Sequence, residues 1–242
     1  MSRIFDCHQQ GDAWIAARVG RITGSSVPKL LLPPTTRAST RSGVNCPAGT
    51  VAAALVEYQH NLVLERLYGV MTQQYVTSYM KNGSEQEEYA RRLYEALMEL
   101  DEPVQLIGFA LHPVWDWFGC SPDGLVGDKG GLELKCPGEA SHDAYIQNPN
   151  TLVEEYKGQV LANLLCFPER EWWDLCSFNP HAYRDDLKMI FAPRFHRSDW
   201  TMQMAEIEDK AEKFNNEIEA EIAKRGLPPT QWCIMPKTEM KG

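Results

Sequence analysis

Cys120-Ser121-Pro122-Asp123-Gly124-Leu125, followed shortly by Gly131-Leu132-Glu133-Leu134-Lys135-Cys136-Pro137, is the stretch on which the reading of this chain turns. Pro-Asp-Gly is β-turn chemistry. Leu125–Gly127 and Gly131–Cys136 have strand character, and Asp128-Lys129-Gly130-Gly131 reads as the hairpin turn between them. Side chains alternate along a strand, so Glu133 and Lys135 share one face while Leu132, Leu134 and Cys136 point the other way, into the core. If the hairpin brings Asp123 beside them, two carboxylates and one ammonium meet at a point. That grouping suits phosphodiester hydrolysis. A hard cation such as Mg²⁺ takes oxygen ligands and keeps some of its waters, polarises a phosphoryl group and makes water more acidic. Lys135 would orient the water or offset charge developing on the phosphorus. Each half also has a plainer reading: Pro-Asp-Gly as a turn only, and Glu-x-Lys as a solvated pair worth under ~1 kcal/mol. Their combination within one hairpin favours the metal site.

Before this hairpin lie helical segments around Trp14–Val19, from Val51 to Tyr68 and from about Ser84 to Leu100. Pro33–Thr50 is rich in Pro, Thr, Ser, Gly and Arg and reads as a mobile loop. Val104–Leu111 and Val114–Cys120 have strand character. After the hairpin, Thr151–Phe167 reads as a helix with Thr151 and Glu154 in capping-box spacing. Glu171–Phe178 and Leu187–Ala192 read as strands, and an apolar stripe from Trp200 to Ile222 marks a long helix that stops at Gly226. Residues 227–242 are a tail. Trp115 and Trp117 fall on one strand face and Trp172 and Trp173 on opposite faces; core packing is favoured over stacking on bases.

The 242 residues suit a single domain with a substantial core, and 43% hydrophobic with 24% charged residues is ordinary globular composition. No apolar run is long enough to span a membrane, and the N-terminus lacks a leader pattern, so the expected location is the cytoplasm of a bacterial or phage-infected cell. Seven cysteines with no Cys-x-x-Cys pair resemble neither a disulfide framework nor a zinc or iron–sulfur site and read as buried free thiols. A formal charge of −9 argues against an open basic nucleic-acid surface. Basic residues gathered in a groove or channel, with several acids binding metal, would answer that objection.

Asp123 with Glu133-Leu134-Lys135 resembles the PD-(D/E)xK nuclease signature, and the longer Cys120–Leu125 and Gly131–Pro137 runs resemble the phage lambda exonuclease, or YqaJ-type viral recombinase, family. Gln10-Gly-Asp-Ala-Trp14, Arg18-Val-Gly20, Ile22-Thr-Gly-Ser25, Gly83-Ser-Glu-Gln-Glu87 with Ala90-Arg91, and Gly158-Gln159-Val160 carry the similarity from about residue 9 to 180. The resemblance implies an α/β, restriction-endonuclease-like core with a central mixed β-sheet flanked by helices. It implies that Asp123, Glu133 and the Leu134 backbone carbonyl bind one or two Mg²⁺ ions, with Mn²⁺ able to substitute, and that Lys135 positions or activates water. Glu87 would add a carboxylate and Gln159 a hydrogen bond; Glu85 and Glu88 are replacements for Glu87, whose own position three residues after Ser84 also fits a helix cap. Arg18, Ser25 and Ser121 would bind a 5′-phosphate, although Arg18 also suits a surface ion pair.

The same resemblance implies 5′-to-3′ degradation of linear double-stranded DNA to 5′-mononucleotides. A 3′ single strand would pass to an annealing recombination protein, and the enzyme would be a homotrimeric ring. The rivals are an end-independent endonuclease of the same superfamily and a non-catalytic DNA-binding or assembly protein.

Overall fold

Apolar residues fill all but one position from Val160 to Cys166, and the helix that contains them packs against elements on several sides. The computed structural model describes residues 3–36, 38–41, 44–72, 78–232 and 240–241. Along the chain these form β1 (Arg3–Phe5), α1 (Asp12–Arg18), β2 (Ile22–Thr23), α2 (Val27–Leu30), β3 (Ser39–Arg41), β4 (Val44–Cys46), α3 (Ala53–Tyr68), α4 (Ser78–Leu97), β5 (Phe109–Leu111), β6 (Phe118–Cys120), β7 (Gly124–Val126) and β8 (Gly130–Lys135). There follow α5 (Glu139–Gln147), α6 (Pro149–Cys166), β9 (Trp172–Phe178), β10 (Met189–Phe191), β11 (Phe195–His196), α7 (Thr201–Ala223) and β12 (Met240–Lys241).

The result is a mixed α/β architecture with mixed sheets and flanking helices. One sheet has the order β12-β1-β5-β6-β2, with β2 and β6 parallel. A second runs β10-β9-β8-β7, and β11 also pairs with β9. The two separate at Ser121-Pro122-Asp123, where Pro122 has no N–H to donate to a ladder; an isolated bridge pairs Gln105, ahead of β5, with Leu125 of β7. β7 and β8 form the expected hairpin, Gly124 facing Leu132 and Val126 facing Gly130. β8 then runs parallel to β9, with Glu133 opposite Leu175 and Lys135 opposite Ser177. A parallel pair needs a long crossover, and α5 and α6 supply it.

From Val160 to Cys166 every residue of α6 is buried, which is how a helix behaves when elements pack on all its sides. It touches β6, β9, α2, α5 and α7. The capping box expected at Thr151 and Glu154 does not cap it. The helix begins two residues earlier, with Pro149 in the first turn and the Asn148 side chain accepting the Asn150 N–H at 3.1 Å. Likewise α4 begins at Ser78, so Ser84 lies inside the helix and cannot cap it.

The 33–50 segment read as a loop contains the β3–β4 ladder; residues 37, 42 and 43 lie outside the described residues, as do 233–239 and 242 of the tail. The short β1, β2 and β12 and the helix α5 had no periodic signal of their own. Trp115 and Trp117 precede β6 rather than sharing a strand, and their rings stack at 4.4 Å. Trp173 is fully buried, and Trp172 lies under the Arg194 guanidinium at 3.7 Å. Among the described residues no helix is long and apolar enough to cross a membrane.

Candidate active site

Asp123 is the last residue before β7 and lies just past the final β7–β8 pair. Its carboxylate takes the place of a strand partner: Oδ2 accepts the Leu134 N–H at 2.6 Å. This seats one carboxylate on the β8 backbone, between the two residues whose side chains point to the same face. On that face Lys135 Nζ donates to Glu133 Oε1 at 2.6 Å. The strand alternation is as expected, with Leu132 and Leu134 buried on the far side, but the Glu133 face is not open to solvent. α6 covers it and leaves Glu133 only 1% exposed, so the pair is no weak solvated contact.

Charge on a buried carboxylate must be matched by donors, and α6 brings them. Gln159 Nε2 also donates to Glu133 Oε1, its own Oε1 accepts from Lys135 Nζ at 3.1 Å, and Asn163 Nδ2 donates to Glu133 Oε2 at 2.8 Å. The Lys135 ammonium lies 4.8 Å from the Tyr156 ring centre. Tyr156, Gln159 and Asn163 fall on one stripe of the helix. Asn163 had not been singled out; its signal is a lone amide within the apolar run Val160–Cys166, a buried polar group that requires a partner.

Glu87 projects from α4 into the same electrostatic neighbourhood. Burial raises its pKa; Lys135 pulls it back and Glu133 raises it further. Burial also raises the Asp123 pKa well above the carboxylate range, with Glu133 and Glu87 adding to the rise and Lys135 opposing it. For Lys135 burial works against the charge, yet Glu133 and Asp123 outweigh it and hold its pKa above the ordinary lysine value. Without a metal Lys135 is thus held as an ammonium, bonded to Glu133 and Gln159. Of the two possible replacements for Glu87, Glu88 is exposed and pairs with Arg92, and the Glu85 side chain lies outside the described set.

Asp123 and Glu87, each pushed up in part by the Glu133 charge, form with it a site short of positive charge. Their oxygens are the ligands a hard divalent ion takes, and a cation among Asp123, Glu133 and Glu87 would relieve the repulsion. The donor types therefore suit a divalent metal. Among the described residues no three His, Cys, Asp or Glu side chains, these included, are gathered closely enough to hold an ion by themselves, so the Leu134 carbonyl and waters would have to complete the ligand set.

Beside this corner lies a second cluster. Ser121, at the end of β6, accepts from Trp14 Nε1 at 2.8 Å and from Arg18 Nη1 at 3.1 Å. The guanidinium packs over the Trp14 ring at 4.2 Å. Arg18 is 9% exposed, its Nε has no hydrogen-bond partner, and among the described residues it has no ion pair. Burial pulls its pKa down to about 10. It is not the surface ion pair that an arginine at a helix end often forms.

The turn after α1 fixes its place. Gly20 has φ 72°, its N–H donates to Glu65 Oε2 at 2.9 Å, and its carbonyl accepts from Arg66 Nε at 2.9 Å. A Cβ there would come within 2.8 Å of the Arg66 side chain. Ser25 sits exposed in the short turn Gly24–Ser26. Gly24 in that turn packs on Cys120 and Asn163, so the turn bridges the two clusters. Among the described residues Ser25 bonds Thr23, at 3.4 Å.

A cleft of about 670 Å³ opens on Asp123 and is lined by Glu87, Glu88, Arg91 and the segment Asp6–Gln10. Gln9 ties this wall to the Asp123 turn by donating to the Ile107 and Pro122 carbonyls, both at 3.0 Å.

A family description, the YqaJ-like viral recombinase domain, matches residues 13–167. Among solved structures, an alkaline exonuclease (LHK-Exo) from Laribacter hongkongensis is 32% identical, with a TM-score of 0.72 over 89% of this chain and 96% of that one. A complex of LHK-Exo with dAMP matches with the same figures. A phage related exonuclease from Haemophilus somnus 129PT shares the fold at 15% identity, TM-score 0.58, over 84% of this chain and 96% of that one. No curated protein sequence matches. With the match spanning both the Arg18–Ser121 cluster and the Asp123–Glu133–Lys135 corner, the chain belongs to the YqaJ-like viral recombinase family and has the restriction-endonuclease-like fold of its alkaline exonuclease neighbours.

Proposed function

We propose that the protein is a Mg²⁺-dependent exonuclease that degrades linear double-stranded DNA from 5′-phosphorylated ends. The observation that carries this reading is the adjacency of two unlike clusters: an acidic corner with a fixed ammonium, and two residues before Asp123 a serine held by a buried arginine that has no counter-ion. Asp123, Glu133 and the Leu134 carbonyl would hold the metal, with Mn²⁺ as a substitute. When bound, the metal supplies Lewis-acid polarisation of the phosphoryl group and eases deprotonation of the attacking water.

The chain's own groups do the rest. Lys135 and Gln159 aim the water and carry hydrogen bonds to the charge that develops on phosphorus. Asn163 fixes the Glu133 carboxylate, and Glu87 closes the acidic set. Arg18, with Ser121 and Ser25, receives the terminal phosphate; a fork of N–H donors and hydroxyls matches a dianion better than an internal diester. That preference favours ends over internal sites. The dAMP bound by the LHK-Exo relative has the size of the product expected here.

The remaining strand would be a 3′ overhang for an annealing recombination protein, and a trimeric ring would enclose duplex inside an otherwise acidic exterior. Light scattering at three times the chain mass is the expected result for the ring.

The decisive experiment is digestion of end-labelled linear duplex with Mg²⁺, alongside covalently closed circles. Release of 5′-mononucleotides from the linear DNA and intact circles are expected. Cleavage of circles would establish the endonuclease instead. No acid-soluble product from either substrate, with duplex binding retained in Glu133→Ala, would establish a binding protein.

A further inference from the structure

Arg91 stands one helical turn after Glu87 on α4 and lines the cleft that opens on Asp123. Of the carboxylates within its reach along the helix, two are bonded elsewhere. Glu88 pairs with Arg92. Glu95 Oε1 accepts the Val104 N–H at 2.8 Å. Glu87 lies toward Lys135 and Glu133 and also feels the Arg91 charge, without forming an ion pair with it. Among the described residues Arg91 therefore makes no ion pair, and its Nε is buried without a hydrogen-bond partner.

A guanidinium left with an unsatisfied buried donor is unfavourable unless an anion completes it. Arg91 is also the single Lys or Arg among the residues lining the cleft, whose other charged members are Asp6, Glu87, Glu88 and Asp123. In a chain of net charge −9, a DNA strand passing this wall meets carboxylates on both sides and its one lining arginine at Arg91.

Resting on the exonuclease reading, we infer that Arg91 forms a second phosphate subsite, which binds an internal phosphodiester of the strand on the α4 side of Asp123. Arg18 and Arg91 then flank the reacting phosphate. Arg18 takes the terminal dianion through a fork and hydroxyls. Arg91 takes a monoanionic diester, which needs one cation and no enclosing hydroxyls. The geometry of the cleft gives the strand a path: one wall is α4, the other is Asp6–Gln10, tied by Gln9 to the Asp123 turn.

The test is duplex binding by fluorescence anisotropy, with phosphorothioate-protected DNA in Ca²⁺, across 50 to 200 mM salt, comparing wild type, Arg91→Gln and Arg91→Lys. Arg91→Gln is expected to weaken binding severalfold and to lower the slope of log affinity against log salt by about 0.9, the signature of one lost phosphate contact. Arg91→Lys is expected to keep the slope. An unchanged slope in Arg91→Gln, whether or not Mg²⁺ half-saturation moves, overturns the subsite and leaves Arg91 as a neighbour that moderates Glu87.

If Arg91→Gln does not fold, phenylglyoxal modification of the wild-type protein decides: duplex should protect Arg91 in the mass spectrum, and no protection overturns the proposal. Nucleotide release by the wild type is scored separately. Its absence counts against the exonuclease and leaves the salt slope to judge Arg91.

Discussion

The corner around Glu133 and the pocket around Arg18 are neighbours built on opposite principles. At the corner both Glu133 oxygens have donors, from Lys135, Gln159 and Asn163, and the surplus charge is negative, on Asp123 and Glu87. In the pocket the buried guanidinium has one serine hydroxyl, a tryptophan face and, among the described residues, no ion pair. A polar group that is satisfied holds its shape without a ligand; one that is not waits for the ion that completes it. The first region is therefore read as the seat of the chemistry and the second as the seat of substrate selection, and experiments that separate rate from end preference test the division.

The largest effect is expected at the corner. Lys135→Ala should reduce nucleotide release by at least about 10²-fold, as loss of a charge-stabilising donor does, while Mg²⁺ binding by calorimetry persists; loss of that binding would move Lys135 from the water to the metal. Next is Arg18→Ala. A charge-assisted contact worth about 1.5–3 kcal/mol predicts roughly 10- to 100-fold slower turnover on 5′-phosphorylated ends and little change on 5′-hydroxyl ends. Equal slowing on both would erase the distinction between the regions.

A smaller effect is expected from Asn163→Ala. It removes one donor from Glu133 at a cost of about 1 kcal/mol, hence a severalfold drop in kcat with KM unchanged. A change in KM alone would make Asn163 a substrate contact.

The smallest effect concerns pH. Asp123 and Glu87 have folded-state pKa values above their unfolded ones, so the folded protein binds more protons than the unfolded chain between the ordinary carboxylate range and the raised values. Stability from these groups is complete below about pH 4 and is lost as pH rises through that window. Metal-free protein should therefore lose Tm as pH rises out of the carboxylate range, less so in Asp123→Asn, and Mg²⁺ should restore it. If Asp123→Asn follows the wild-type Tm profile, the carboxylates do not repel one another as described.

Much of the site was legible before any coordinates. Strand alternation put Glu133 and Lys135 on one face, turn chemistry placed Asp123 at the hairpin mouth, and the helical stripes of α3 and α7 were plain. Local rules failed where tertiary packing chose the boundary. Thr151 and Glu154 satisfy a capping pattern, yet Pro149 and Asn148 start the helix earlier. Ser84 satisfies another, yet α4 runs through it.

By itself the sequence determined which residue types share a face and in what order, because periods of 2 and 3.6 are properties of the backbone and need no partner. Only the tertiary structure decided that α6 covers Glu133, that Asn163 and Trp14 complete the two clusters, and that Arg18 is buried without a counter-ion. Those contacts join residues that lie 30 and 103 to 107 positions apart in the chain. They form when core packing offsets the entropy of closing such loops, a balance that no short window of sequence contains.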